Sequence, residues 1–216
     1  MGNTTWTHPD VLDRGVREGW AESELDPARI DWAERRGGAA FPFPLVDGRP
    51  VNPLAPTGIR FGRGELGHWG EKQAADAIVT AWLAGVRHLL MVERGDGHGW
   101  AVPGGFLDPD EAPLAAVVRE LEEEAGLVLP GAVWRVLPVR LVPDPRATDE
   151  AWMVTWPATT DLGEVGELPA VAGADDARRA EWVRADSYDG LVAELDAVHR
   201  GRVFPAHAAM LAELLG

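Results

Sequence analysis

The stretch Gly105–Leu127, reading GFLDPDEAPLAAVVRELEEEAGL, constrains this chain more than any other. Gly105 is followed after five residues by Glu111 and after seven more by Arg119-Glu120-Leu121; Glu123, Glu124, Gly126 and Leu127 complete the pattern. The segment is marked as a helix. Asp110 or Glu111 can cap it, Pro113 fits a first turn that has no use for an N–H, and Gly126 can end it in a left-handed cap. At about 100° per residue, Leu114, Val117, Val118, Leu121 and Ala125 fall on one stripe that is expected to be buried. Glu120 and Glu124 stand one turn apart on a different face, with Glu123 beside them and Arg119 one turn before Glu123. Three carboxylates gathered on one face repel each other unless a cation joins them. Such hard oxygen ligands suit Mg²⁺, with substrate phosphates completing its shell. A generic Glu-rich helix simply faces water. Solubility, however, demands neither the flanking glycines nor the Arg-Glu pair.

Composition narrows the partners. A chain of 216 residues can bury one good core with a small second lobe. A net charge of −15 argues against nucleic acid or an anionic membrane as the main partner. An anionic small molecule then needs a metal ion and a few arginines to approach. The absence of cysteine excludes disulfide and thiolate chemistry. Neither a secretory apolar region nor a run long enough to span a bilayer is present, and Met1-Gly-Asn-Thr-Thr-Trp6 lacks the hydroxyl residue of a myristoylation signal. The expectation is a cytoplasmic protein whose oligomeric state the sequence leaves open, with a monomer favoured.

Along the chain, residues 1 to about 40 mix charges with scattered apolar residues, and short helices are expected around Val11–Ala21 and Pro27–Arg36. Pro42, Pro44, Pro50, Pro53 and Pro56 favour extended segments, and Asp47-Gly48 reads as a hairpin turn. The run Thr57 to Gly70 carries many glycines with Arg60 and Arg63; it reads as a connector or as a phosphate-cradling loop. Strands are expected at Ala77–Leu83, Val86–Arg94, Trp100–Val102, Val133–Val142, Trp152–Trp156 and Glu181–Arg184, and helices at Leu191–His199 and Ala206–Leu215. Strands around a central helix make an α/β or α+β sandwich. The division expected is an accessory lobe over 1–70 and a main domain over 71–216.

The spacing from Gly105 to Leu127 resembles the Nudix box of hydrolases that cleave nucleoside diphosphates linked to another moiety. Further segments are similar to the ADP-ribose pyrophosphatase branch, whose relatives include the mitochondrial enzyme and the sensing domain of a melastatin-type channel. They are Gly62-Arg-Gly-Glu-Leu-Gly-His-Trp-Gly70, Ala74 to Trp82, Trp100-Ala-Val-Pro-Gly-Gly105, Asp144-Pro-Arg146, Thr148-Asp149, Ala151-Trp-Met153, Asp175-Asp-Ala177, Trp182-Val183 and Ala206-His207. The likeness runs from about Asn52 to the last helix. It departs at Ala55-Pro56, where the branch usually has Gly-Arg, so an arginine is lost from that loop.

The resemblance implies a helix-flanked mixed sheet and Mg²⁺-dependent hydrolysis of ADP-ribose to AMP and ribose 5-phosphate, with Mn²⁺ as a substitute metal. It implies Glu120, Glu123 and Glu124 as metal ligands, with the Gly104 carbonyl as a further oxygen. Arg119 would orient a glutamate and Glu111 would brace the loop–helix junction by pairing with Arg119. Asp175 or Asp176 would supply an extra acid, or would belong to a solvated loop. Asp144, Arg146, His207 and Arg63 are the candidates for substrate binding, the last from the glycine-rich run. Other nucleoside diphosphate sugars or dinucleotides, and a non-catalytic sensor, remain the alternatives.

Overall fold

The computed structural model describes residues 4–216, so the reading of the N-terminal sequence at Met1–Asn3 lies outside the described residues. The chain begins with β1 (Thr5–Thr7), α1 (Pro9–Leu12), α2 (Arg14–Glu18) and, after a 3₁₀ turn at Pro27–Arg29, α3 (Trp32–Gly38). Then come β2 (Leu45–Val46), β3 (Arg49–Pro50), β4 (Phe61–Gly64), β5 (Gly70–Leu83), β6 (Val86–Arg94), β7 (Trp100–Ala101) and β8 (Gly104–Phe106). The helix of the box is α4 (Pro113–Ala125). It is followed by β9 (Arg135–Val136), β10 (Arg140–Val142), β11 (Ala151–Glu164), β12 (Ala177–Arg184), α5 (Tyr188–His199) and α6 (Pro205–Leu215). No described helix is long and apolar enough to cross a membrane.

The residues group into two compact units, Met1–Gln73 with Val139–Thr155, and Ala74–Pro138 with Trp156–Gly216. The first unit therefore takes in 139–155 besides the stretch expected as the accessory lobe. Capping explains its short helices: Asp26 accepts from Ala28 N, and Asp31 from Ala33 N and Glu34 N. Asp47 and Gly48 both have positive φ, as a two-residue hairpin turn between β2 and β3 requires. Phe43 packs edge-on against both Trp32 and Trp152. His68 is buried with Nε2 3.0 Å from the Trp152 carbonyl, and desolvation lowers its pKa to about 3, so it is a neutral core group.

The glycine-rich run is packed backbone. A Cβ on Gly62 would strike the Trp6 carbonyl, and one on Gly64 the Arg146 carbonyl; both glycines have positive φ. Their role is close approach of main chains, as in a packed connector. Arg63, expected at substrate, is 1% exposed; its Nη1 donates to the carbonyls of Glu22 and Gly67, and its guanidinium lies over Trp69. It braces the interior of the first unit.

In the second unit the strand order is β11-β5-β6-β12, with β7 beside β6, β8 beside β5 and β9 beside β11. Hairpin β5–β6 closes through Ala84-Gly85, both at positive φ. One face carries Ile78, Leu89, Met91 and Val183, packed with Leu191 and Leu195 of α5 and Met210, Leu211 and Leu215 of α6. The alternate residues Ala77, Val79, Leu90 and Val92 are buried as well. Both faces being covered, these strands read as continuous apolar runs rather than alternating ones. α4 packs on β8 and β12. This is the expected α/β sandwich.

Glu150 of the first unit is wholly buried, with Oε2 2.8 Å from Arg49 Nη2 and 2.8 Å from Gly62 N, and Oε1 3.6 Å from Arg60 Nη1. Glu150→Ala strands these donors, and breaking a buried pair costs about 3–5 kcal/mol. Arg49 keeps some water contact, so a loss near the lower end is expected in denaturant unfolding followed by tryptophan fluorescence. A loss below about 1 kcal/mol would mark the pair as energetically idle.

Candidate active site

All the residues of the box lie in the second unit. The N-cap of α4 is Ala112, without a side-chain bond, and Pro113 occupies the first turn; Gly126, at φ 65°, closes the other end as expected. Neither Asp110 nor Glu111 caps the helix. Asp110 sits in the turn at positive φ, while Glu111 accepts from Asp108 N at 3.0 Å. The buried face is also turned from the expected stripe. Val117, Leu121 and Ala125 are buried, but with Ala116, Glu120 and Glu124, whereas Leu114 and Val118 are 37% and 41% exposed. Two carboxylates thus belong to the packed face. The apolar pattern missed this because it assigns every glutamate to solvent.

Backbone glycines make room for them. Glu120 lies against Gly105, where a Cβ would collide with its carboxylate, and Glu124 Oε2 accepts from Gly104 N at 2.8 Å. Arg119 holds the rest: Nε and Nη2 donate to Glu111, both at 2.9 Å, Nη1 donates to Glu120 at 2.7 Å and to Glu123 at 2.9 Å, and Nη2 also reaches the Phe106 carbonyl. One guanidinium therefore joins three carboxylates and the strand β8. Its hydrogen bonds hold the Glu111 carboxyl down, to about 2.

The other two acids are pushed the opposite way. Desolvation raises Glu120, against the pull of Arg119. Desolvation also raises Glu124, to about 8, with Glu120 and Asp176 adding repulsion while Gly104 N–H and Arg94 oppose it. An acid with a raised folded pKa favours the fold while protonated, so this contribution fades as pH rises from 4.5 towards 8. Among the described residues no three acidic or histidine side chains are gathered as a metal cage. Glu123 turns to Arg119 and Glu124 to Gly104. The donor set nevertheless fits a hard divalent cation, because Glu124, 9% exposed, has no ion pair among the described residues to offset its burial and Glu120, 7% exposed, shares one guanidinium with two other carboxylates.

Asp175 and Asp176 follow a loop fastened to the end of α4, where Ala172 N donates to Ala125 O and Ala174 N to Glu124 O. Their charges act on Glu120 and Glu124 respectively. His207, on α6, is buried with Nδ1 3.3 Å from Val102 N and Nε2 3.5 Å from Asp76 Oδ1. Arg94 lies over the Phe204 ring, which meets His207 edge-on. Sequence reading missed Asp76 and Arg94. A lone acid within the apolar run of β5 was the available signal for the first; Arg94 gave none. Asp144 and Arg146 belong to the first unit and form a fork: Nε to Oδ1 at 3.0 Å, Nη2 to Oδ2 at 2.7 Å, with Arg146 N also on Oδ1. The Asp144 side chain is 2% exposed, so the pair is no loose surface bridge.

The NUDIX domain model matches residues 73–206. The putative nudix hydrolase 6 of Caenorhabditis elegans is 32% identical over 89% of this chain and 76% of its own length. The mitochondrial ADP-ribose pyrophosphatase of Rattus norvegicus is 33% identical over 65% of this chain, which spans 49% of that enzyme. Among solved structures, a bifunctional NMN adenylyltransferase/ADP ribose pyrophosphatase from Francisella tularensis aligns with a TM-score of 0.50 at 25% identity, covering 68% of this chain and 42% of that one. The matched domain contains the box and the helix that carries its glutamates, and the chain belongs to the Nudix family.

Proposed function

We propose that this protein hydrolyses ADP-ribose to AMP and ribose 5-phosphate with Mg²⁺, with Mn²⁺ able to replace it. The observation that carries the reading is the pair of buried carboxylates, Glu120 and Glu124, set against Gly105 and Gly104, with Glu120 tied to Glu111 and Glu123 through Arg119. The rat relative named for ADP-ribose supports the choice of substrate. A hydrolase domain over 71–216, preceded by an accessory lobe over 1–70, is supported by the family match over 73–206.

Glu120, Glu123, Glu124 and the Gly104 carbonyl would hold the metal. When bound, a divalent cation neutralises the diphosphate oxygens and makes a water molecule more acidic. Arg119 keeps Glu120 and Glu123 close to β8 and prevents their repulsion from splaying the helix face. Glu111, bonded to both Arg119 and Asp108 N, braces the junction of loop and helix. Asp175 or Asp176 adds an acid next to this cluster. Arg146, paired with Asp144, is the candidate for binding substrate away from the reacting phosphates, and His207 is separately a candidate for the pocket wall; Arg63 is set aside because its guanidinium is enclosed by carbonyls and Trp69.

Incubation with ADP-ribose and Mg²⁺ is expected to give AMP and ribose 5-phosphate, identified by chromatography. Glu124→Gln keeps the shape and removes the charge, so most turnover should vanish without loss of the folded state in a melting curve. Turnover of a different nucleotide in a panel, with ADP-ribose untouched, would replace the substrate; wild-type rates in E124Q would overturn the metal assignment.

Arg146→Ala is expected to raise KM about ten- to a hundredfold, the weight of one charged hydrogen bond, with kcat little changed. Steady-state kinetics with a parallel melting curve checks this. A fall in kcat at constant KM would move Arg146 to the reacting phosphates.

A further inference from the structure

We propose that Asp76 is a positioning residue of the hydrolytic site, acting through His207 on the Val102–Gly104 passage that presents Gly104 to Glu124. Asp76 lies on β5 directly across from Gly104 on β8, and a Cβ on Gly104 would collide with Asp76 Oδ1. The glycine that donates its N–H to Glu124 is therefore flanked by a second buried carboxylate. Ala77 N also donates to the Pro103 carbonyl at 2.8 Å, so β5 grips the passage from one side.

His207 grips it from the other. Val102 N–H points at Nδ1, which must then be unprotonated, so the ring proton sits on Nε2 and faces Asp76. The residues leading into α6 are stapled to β7: Trp100 N donates to Arg202 O, Phe204 N to Trp100 O, and Trp100 bridges Val203 in parallel. His207 N in turn donates to Phe204 O. The ring is thus held by its own backbone, by the Phe204 edge and by Asp76. Asp76 fixes which nitrogen carries the proton and so keeps Nδ1 available to Val102. Outer partners of this kind commonly set the geometry of metal-holding groups, and their loss costs about ten- to a hundredfold in metal affinity or activity.

This inference rests on the diphosphatase reading, and its test separates the two. Wild type is first assayed on a nucleotide panel, and the comparison uses whichever nucleotide it hydrolyses. Asp76→Ala and the volume-matched Asp76→Leu are expected to lower kcat by about ten- to a hundredfold with KM within roughly threefold, and to raise the Mg²⁺ concentration needed for half activity. Asp76→Asn retains an oxygen that accepts from Nε2–H and is expected to stay within about threefold of wild type. If D76A does not fold, D76L carries the same expectation. Independently of substrate, the imidazole ¹H–¹⁵N spectrum of wild type should place the His207 proton on Nε2, with the signal identified by its loss in His207→Asn. A change in KM alone, wild-type kinetics in D76L, or a His207 proton on Nδ1 would each overturn the proposal.

Discussion

Everything at this site depends on carrying two glutamates on the packed face of a helix. A helix normally buries its apolar stripe and leaves its acids to water. Here Glu120 and Glu124 share the face of Val117 and Leu121, and the main chain of β8 is glycine where they meet it. A side chain at position 105 would fill the space of the Glu120 carboxylate, and one at 104, whose N–H serves Glu124, would strike Asp76. The glycines ahead of the helix and the glutamates within it are therefore one structural device, although Gly105 and Glu120 stand 15 positions apart and Gly104 and Glu124 stand 20 apart.

Arg119 and burial act on this device in opposite senses. The guanidinium bonds Glu111, Glu120 and Glu123, and it favours the ionised forms of Glu111 and Glu120. Desolvation favours the neutral forms of Glu120 and Glu124 and prevails in both, raising Glu120 against the pull of Arg119 and Glu124 to about 8. Without a further cation the cluster is thus divided, one part ion-paired to arginine and the other held neutral. A divalent cation resolves the division by supplying positive charge where Arg119 does not reach.

Much of this was legible in the sequence. The box spacing gave the helix, its glycine terminus and the acids, since spacing maps directly onto a helical surface. The strands flanking it were recognisable as apolar runs, though β5 and β11 extend well beyond the predicted segments because sheet pairing continues into their more polar residues. What escaped were effects of tertiary packing. The rotation of the buried face, the interior position of Arg63 and the facing of Asp76 and His207 depend on chain segments far apart in sequence.

Burial holds Glu124 largely neutral until a cation arrives. Calorimetric titration with Mg²⁺ at pH 7 in buffers of differing ionisation enthalpy measures the protons released. With its pKa raised to about 8 by burial, Glu124 is mostly protonated at that pH, so binding should release a proton. The release should shrink above pH 8 and disappear in Glu124→Gln. Metal binding without proton release, or equal release from E124Q, would contradict the account.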